Sequence, residues 1–216
     1  MKENLLYKPI DFVITWVDGA DPVWLNEKKK YDKTVDVDDS IERYRDYGTL
    51  KYLLRSIDKY ASWVRFVFLV TSGQVPKWLN TVHPKLKIVS HEDFIPKKYL
   101  PTFSSHPIEW NLHRIKGLSE NFVSFNDDFI LTAPVKPDDF FKNDLPCDTF
   151  GLGLLGAQGF STYIAFNNMG VLNKHFNFKK TLRENRRKFF KLKNGIELPK
   201  ALIMSTQNMF YGMHDH

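Results

Sequence analysis

The sequence predicts an α/β fold, with a Rossmann-like, mostly parallel sheet flanked by helices. Residues 10–17 are apolar on both alternating faces, and residues 64–70 form a second continuous apolar run, as expected for strands covered on both sides. Segments with helical spacing separate these runs, and such alternation is typical of α/β proteins. We expect one domain over residues 1–216, with an irregular part rich in proline and glycine followed by a helical C-terminal part.

Each expected strand and helix has its own signal along the chain. The first strand ends at Asp18, after which Asp21 and Pro22 suit the cap and the first position of a helix. Leucines and an isoleucine at helical spacing predict a second helix over roughly 50–57. The further expected elements are a strand at 64–70, a short helix at 76–79, a strand at 86–89, a helix over roughly 106–118, a strand ending at Asn126, and helices near 164–172 and 182–192.

Composition limits the classes of protein to which the chain can belong. Cys147 is the single cysteine, which excludes an internal disulfide and a cysteine-cluster metal site. No apolar run approaches the length of a membrane span, and the N-terminus lacks a secretory apolar region, so the sequence predicts a soluble, cytoplasmic protein. The net charge of +6 is concentrated in the basic segment 183–193, which either contacts an anionic membrane at its inner face or is a solvated helix face. No nucleic-acid-binding motif accompanies the charge.

Adjacent polar side chains follow the strand that begins at Phe122. Asn126, Asp127 and Asp128 come directly after the apolar residues, and the carboxyl end of a parallel strand is where ligands bind in open α/β sheets. Carboxylates at such a place suit Mg²⁺ or another hard divalent cation that also binds substrate phosphates. The alternative is a solvated turn, since Asn and Asp favour turns. Asp18, at the end of the first strand, would lie on the same edge and favours a shared site.

Other polar residues near the strand ends are candidates for phosphate binding. Arg43 and Arg45 point to the same side of an extended segment and could grip phosphate oxygens in bidentate fashion, or pair with nearby surface acids. The turn that ends in Gln74 could offer backbone N–H groups to a phosphate, although an ordinary turn explains it equally.

A histidine-containing face follows Ser104 and Ser105, which can start a helix. His106 and Glu109 share a helix face with His113, and this face is either a base oriented by an acid, a substrate-positioning surface or a plain polar surface. The spacing is not that of a zincin, so a structural zinc site is not expected.

These motifs together resemble one family. Residues 10–24, IDFVITWVDGADPVW, resemble the first conserved block of the Stealth proteins, which are bacterial capsular polysaccharide phosphotransferases related to the α/β subunit of N-acetylglucosamine-1-phosphotransferase. The second block is similar to the words RYRD at 43–46, LRSI at 54–57, FLVTSGQ at 68–74, PKWLN at 76–80, LPTFSS at 100–105 and NDD at 126–128. The last residues, YGMHDH at 211–216, resemble the start of the third block, so we expect a chain truncated within that block.

The resemblance implies transfer of a sugar 1-phosphate from a UDP-sugar to a hydroxyl of a glycan acceptor, with release of UMP. It implies that Asp127 and Asp128, with Asn126 and with Asp18 as a further candidate, hold Mg²⁺ or Mn²⁺ against the pyrophosphate. Together with the positions argued above, the residues that we expect to bind substrate are Asp18, Arg43, Arg45, Gln74, Ser104, Ser105, Glu109 and Asn126. The residues implied for acid–base work are His216, His214 and His106. The acceptor is expected to be a glycan on a lipid carrier.

Two rival functions stay open at this point. A metal-dependent glycosyltransferase also places acids beside the pyrophosphate of a nucleotide sugar, but it attacks the anomeric carbon and releases UDP. A truncated chain could instead be an inactive remnant that binds glycan or nucleotide. The identity of the released nucleotide separates the two enzymes.

Overall fold

The computed structural model describes residues 8–31, 46–147 and 160–189. The chain divides into two compact units, residues 1–148 and 149–216, and each is described by itself. The first unit contains all the strands of the described part of the chain and the predicted carboxylate cluster. It therefore carries the features on which a functional assignment depends.

The first unit is built on a four-stranded parallel sheet. Its strands are β1 (Ile10–Thr15), β2 (Val67–Thr71), β3 (Leu86–Ser90) and β4 (Asn121–Asn126), in the spatial order β3-β2-β1-β4. β1 is central and pairs in parallel with both β2 and β4, so that Ile14 lies between Leu69 and Phe125. The α/β fold with a parallel, Rossmann-like sheet is confirmed. The strand order reverses between β1 and β4, and this switch point is the usual ligand-binding position in such sheets.

Helices and turns cover both faces of this sheet. On one face, α2 (Leu50–Tyr60) buries Leu50 and Leu53 in a cluster with Phe12, Ile14 and Leu69. The other face of the sheet is covered by apolar residues of the segment between β3 and β4, namely Phe94, Ile95, Ile108, Leu112 and Ile115. Burial on both faces explains why β1 and β2 are mostly apolar, the polar exceptions being Asp11 and the threonines that end the two strands, Thr15 and Thr71.

The ends of α1 and α3 follow from local hydrogen bonds. α1 (Pro22–Tyr31) begins as predicted, because the Asp21 carboxylate accepts a hydrogen bond from the Val23 N–H at 2.8 Å. α3 (Ser105–Asn111) is shorter than the helix expected over 106–118, and a 3₁₀ turn at Leu112–Arg114 follows it. The side chain of Asn111 donates to the Pro107 carbonyl at 2.8 Å and competes with the regular helical bonds. The expected helix at 76–79 is a single turn closed by Leu79 N–H and Pro76 C=O at 3.0 Å.

The remaining elements lie outside the sheet. α4 (Pro137–Phe140) leads into a two-stranded antiparallel hairpin of β5 (Phe141–Lys142) and β6 (Leu145–Pro146). The second unit contains α5 (Phe160–His175), α6 (Phe178–Glu184) and α7 (Arg186–Phe189). Among the helices described here, none is long and apolar enough to cross a membrane.

Candidate active site at the switch point of the sheet

A cleft of about 300 Å³ opens at the carboxyl ends of β1 and β4. One wall is formed by the residues that end these two strands, which are Thr15, Trp16, Val17, Asn126, Asp127 and Asp128. The opposite wall is formed by Trp24, His91, Thr102, Phe103, Ser104, Ser105 and Ile108. The cleft therefore lies at the topological switch point, where the fold itself leaves a crevice between diverging connections.

Within the part of the chain that the structure describes, no lysine or arginine forms an ion pair with the carboxylates of the cleft. Asp127 is half-buried, and burial raises its pKa to about 6, with further contributions from the charges of Asp128 and Asp46. Asp46 is fixed nearby, because its carboxylate accepts hydrogen bonds from the Gly48 N–H at 2.6 Å and from the Trp16 indole N–H at 3.4 Å. Because Asp127 lies partly buried beside two other acids, its anionic form is disfavoured unless a cation or a hydrogen-bond donor joins it.

The donor set of the cleft suits a hard divalent cation that is shared with a substrate. Asp127, Asp128 and Asn126 offer only oxygen ligands from their acceptor groups, and these are the ligands that Mg²⁺ prefers. Within residues 8–31, 46–147 and 160–189, no group of three or more His, Cys, Asp or Glu side chains is close enough to hold a metal ion alone. Mg²⁺ is commonly bound by one or two carboxylates together with substrate phosphates, so the two adjacent acids fit that mode and not an all-protein cage.

Gln74 ties the loops that follow β1 and β2. Its side-chain amide accepts from the Asp18 N–H at 2.9 Å and donates to the Asp18 carbonyl and to the Asp21 carboxylate, both at 3.0 Å. The bond from Gln74 is the main reason that the pKa of Asp21 is lowered, with help from backbone N–H groups at the start of α1. The Asp18 carboxylate accepts from the Ala20 N–H at 3.0 Å. These contacts fix the loops beside the cleft, and neither Asp18 nor Gln74 is among the residues that line it.

The predicted residues of α3 fall into two groups. Ser104 and Ser105 line the cleft, facing the strand ends that carry Asn126 to Asp128. His106 and Glu109 are exposed and do not line it, although the His106 Nδ1 and Ser104 Oγ atoms are 3.4 Å apart. The remaining predicted residues, Arg43, Arg45, His214 and His216, lie outside the described residues.

Three residues of the site were not predicted from the sequence. His91 lies in a 3₁₀ turn directly after β3, Asp46 reaches the site through Trp16, and Trp24 packs edge-on against Phe103 with ring centroids 5.5 Å apart. The rule that ligands bind at carboxyl ends of strands applies to β3 as it does to β1 and β4, so it could have identified His91. No local pattern indicates Asp46 or Trp24, because their positions depend on contacts between distant segments.

Comparison with known proteins gives matches over nearly the whole chain. The family model of Stealth protein conserved region 1 matches residues 8–36, and that of Stealth protein conserved region 2 matches residues 43–147. The capsular polysaccharide phosphotransferase CpsJ of Streptococcus thermophilus is 46% identical over 211 residues, which cover 96% of this chain and 87% of CpsJ. The capsular polysaccharide phosphotransferase WcwK of Streptococcus pneumoniae is 46% identical over 214 residues, which cover 95% of this chain and 63% of WcwK. The receptor polysaccharide phosphotransferase WefC of Streptococcus gordonii is 43% identical over 214 residues, which cover 96% and 64% respectively.

Proposed function

The chain belongs to the Stealth family of phosphotransferase enzymes, and on that premise we propose that it transfers a sugar 1-phosphate from a UDP-sugar to a glycan hydroxyl. The reaction forms a phosphodiester linkage in a bacterial capsular or other cell-surface polysaccharide and releases UMP. Its relatives are named as polysaccharide phosphotransferases, and this supports the acceptor class and the transfer of phosphate.

The position of Asp127 and Asp128 carries this proposal. Both acids line a cleft at the switch point of a parallel sheet, within the segment that matches conserved region 2. No described residue neutralises their charge. The pKa of Asp127 is raised by burial and by the charges of Asp128 and Asp46. A cation bridging these acids to a pyrophosphate would relieve that cost, and phosphoryl transfer consists largely of positioning and charge neutralisation.

The chemical step is an attack on phosphorus. The acceptor hydroxyl oxygen bonds to the phosphorus that carries the sugar, and the bond from that phosphorus to the bridging oxygen breaks, so that UMP leaves with the bond electrons. Asp127, Asp128 and Asn126 would hold Mg²⁺ or Mn²⁺, which when bound neutralises charge on the pyrophosphate oxygens. Ser104 and Ser105 line the opposite wall and can donate hydroxyl hydrogen bonds to phosphate.

The place of action follows from the substrates. A UDP-sugar donor and a lipid-linked acceptor would meet at the inner face of the cell membrane, so we propose a cytoplasmic protein with peripheral contact. Arg183, Arg186 and Arg187 are exposed on α6 and α7, which supports attraction to anionic lipid. Sedimentation with anionic vesicles tests this part, with neutral vesicles as the control. Equal binding to both, or to neither, would contradict it.

The test of the reaction uses the released nucleotide. The 216-residue chain is incubated with Mg²⁺ or Mn²⁺ and a panel of UDP-hexoses and UDP-N-acetylhexosamines, first with water as acceptor and then with short oligosaccharides. Nucleotides are separated by chromatography, and products are examined by phosphorus NMR. We expect UMP together with a sugar 1-phosphate or its diester, the anomeric configuration of the donor being retained because its C–O bond is not broken.

The alternative outcomes are distinct. Release of UDP with no phosphorus in the glycan would identify a glycosyltransferase and overturn the proposal. Binding of a UDP-sugar without release of either nucleotide, under the same conditions, would identify a binding protein instead.

A further inference from the structure

A second cavity, of about 270 Å³, adjoins the carboxylate cleft. The two share four lining residues, Trp24, His91, Thr102 and Phe103, so they form neighbouring compartments along the carboxyl edge of the sheet. We call the second compartment the side cavity. A transferase needs two substrates side by side, and the shared wall marks where they would meet.

The side cavity has a lining that differs from that of the cleft. It adds the carboxylates of Glu27 and Glu92 and the hydroxyls of Ser72 and Ser90, and no described lining residue is a lysine or an arginine. Two carboxylates without a cation disfavour a phosphate group. Acids and hydroxyls beside aromatic rings instead suit a neutral polyol, which donates hydrogen bonds to carboxylates and packs its C–H groups on rings.

His91 stands on the wall between the two compartments. It follows β3 directly in a 3₁₀ turn, and its ring contacts the edge of Phe94 with centroids 6.4 Å apart. The imidazole is half-buried and makes no hydrogen bond to any of the described residues. Its ring nitrogens are therefore available to accept a hydrogen bond from a substrate atom that enters the cavity, or to donate one to it.

We propose that the side cavity binds the acceptor sugar and that His91 is the general base that takes the proton from its attacking hydroxyl. This inference rests on the proposed function. The acceptor O–H bond breaks as the oxygen bonds to the sugar-bearing phosphorus, the proton passes to an imidazole nitrogen of His91, and UMP leaves from the other side of that phosphorus.

The surroundings of His91 favour this role. Burial lowers its pKa to about 4, so the imidazole is neutral at physiological pH and has a lone pair available. The charged groups that line the same two cavities are all carboxylates, Glu27, Glu92, Asp127 and Asp128. Glu27 and Glu92, which do not belong to the proposed metal site, would stabilise the imidazolium as it forms, when the proton arrives.

The first test replaces the base. His91→Gln and His91→Asn are compared with His113→Gln, an exposed histidine outside both cavities, in the UMP-release assay with oligosaccharide acceptor. We expect kcat to fall about 100- to 10,000-fold in both His91 variants, with UDP-sugar affinity within about twofold of the parent, and added imidazole to restore part of the rate. Circular dichroism and the melting temperature verify that the variants are folded.

The second test fills the side cavity from an exposed helix position. Glu27→Trp should raise the acceptor KM at least about tenfold with little change in the Kd of the UDP-sugar, whereas Lys29→Trp, on the same helix but away from the cavity, should change neither. Lost UDP-sugar affinity in the His91 variants with kcat intact would make His91 a donor-binding residue and overturn the proposal. A kcat within threefold of the parent would do the same. If the parent protein releases UDP, the proposed function fails, and the effect of His91 on the rate is still measured separately.

Discussion

The two edges of the parallel sheet treat a carboxylate in opposite ways. At the amino edge, Asp11 is fully buried in β1 and accepts hydrogen bonds from Arg65 Nε at 2.8 Å, from Phe66 N at 3.1 Å and from Ser119 N at 2.7 Å, with Arg65 Nη2 as a fourth donor. At the carboxyl edge, Asp127 is half-buried beside two other acids, and its pKa is raised. The Asp11 carboxylate is satisfied by hydrogen bonds and an ion pair within the protein, whereas no described residue neutralises the Asp127 carboxylate.

This difference separates a structural acid from one that we propose to be functional. Arg65 also donates to the Gly117 carbonyl at 2.9 Å, so the Asp11 network joins the segments that lead into β1, β2 and β4. The bond to Asp11 raises the pKa of Arg65 above its ordinary value, in keeping with a tight ion pair. The Asp11 network stabilises the fold at the amino edge. At the carboxyl edge, the negative charge of Asp127 destabilises the fold until a bound ligand neutralises it.

Neutralising the carboxyl edge should have the largest effect. Asp127→Asn or Asp128→Asn in the 216-residue chain is expected to reduce turnover by at least about 1,000-fold without lowering the melting temperature, because the charge serves the substrate complex and not the fold. UMP release and thermal denaturation are the measurements. Asp58→Asn, at an exposed position of α2, is the matched control. Activity that survives in both variants, or in excess chelator, would contradict the assignment.

The same chemical change at the amino edge should break the fold instead. Asp11→Asn removes the counter-charge of Arg65, whose side chain is 35% exposed and can be partly hydrated, so the loss of charged hydrogen bonds is expected to lower the free energy of unfolding by about 1.5–3 kcal/mol. Urea denaturation measures the loss. If the variant does not fold at all, Arg65→Lys provides a milder disruption of the same pair. A loss below about 1 kcal/mol would mean that the network is not structurally important.

Two arginines that the sequence predicts to bind phosphate extend the comparison to the donor substrate. Arg43 and Arg45 fall within the segment that matches conserved region 2. Each change to alanine is expected to weaken UDP-sugar binding by about 1.5–3 kcal/mol, the usual value of a hydrogen bond to a charged group. Calorimetric titration gives the affinity. Unaltered binding together with a lowered melting temperature would identify them as structural ion-pair partners.

The smallest effect is a pH-dependent difference in stability. The folded-state pKa of Asp127 is about 6, above its ordinary value of 3.8, so the favourable contribution of the protonated form is lost as the pH rises through about 6. Metal-free Asp127→Asn should therefore melt higher than the parent at pH 7, and the gap should close near pH 4. A difference in melting temperature that stays constant between pH 4 and pH 7 would show that ionisation of Asp127 does not destabilise the fold.

The fold was largely predictable because its strands are short apolar runs that stand out locally. β1, β2 and β4 were expected from such runs, and the polar residues that follow β4 were placed correctly at the carboxyl edge of the sheet. The end of α3 was not foreseen, since it depends on the bond of one side chain, Asn111, to the backbone of the preceding turn.

The residues that were missed depend on contacts across long stretches of sequence. Asp11 lies inside a run that was interpreted as apolar, and its partners come from residues 65, 66 and 119. His91 is brought to the cleft by the pairing of β3 with β2, and Asp46 by its bond to Trp16. A single sequence contains no signal for contacts of this kind, because they form only when the strands pair in the folded chain.

The order of the strands has a consequence for how the protein folds. β2 and β3 follow one another closely in sequence, and contacts between β1 and the start of β2 span about 55 positions. β4 must return to the far side of β1, and the bond from Ser119 to Asp11 joins residues 108 positions apart. Closing so long a loop is entropically slower than pairing the nearby strands. The cleft is complete only when β4 has docked, so a chain arrested before that step would hold three paired strands and lack the wall that carries Asn126, Asp127 and Asp128.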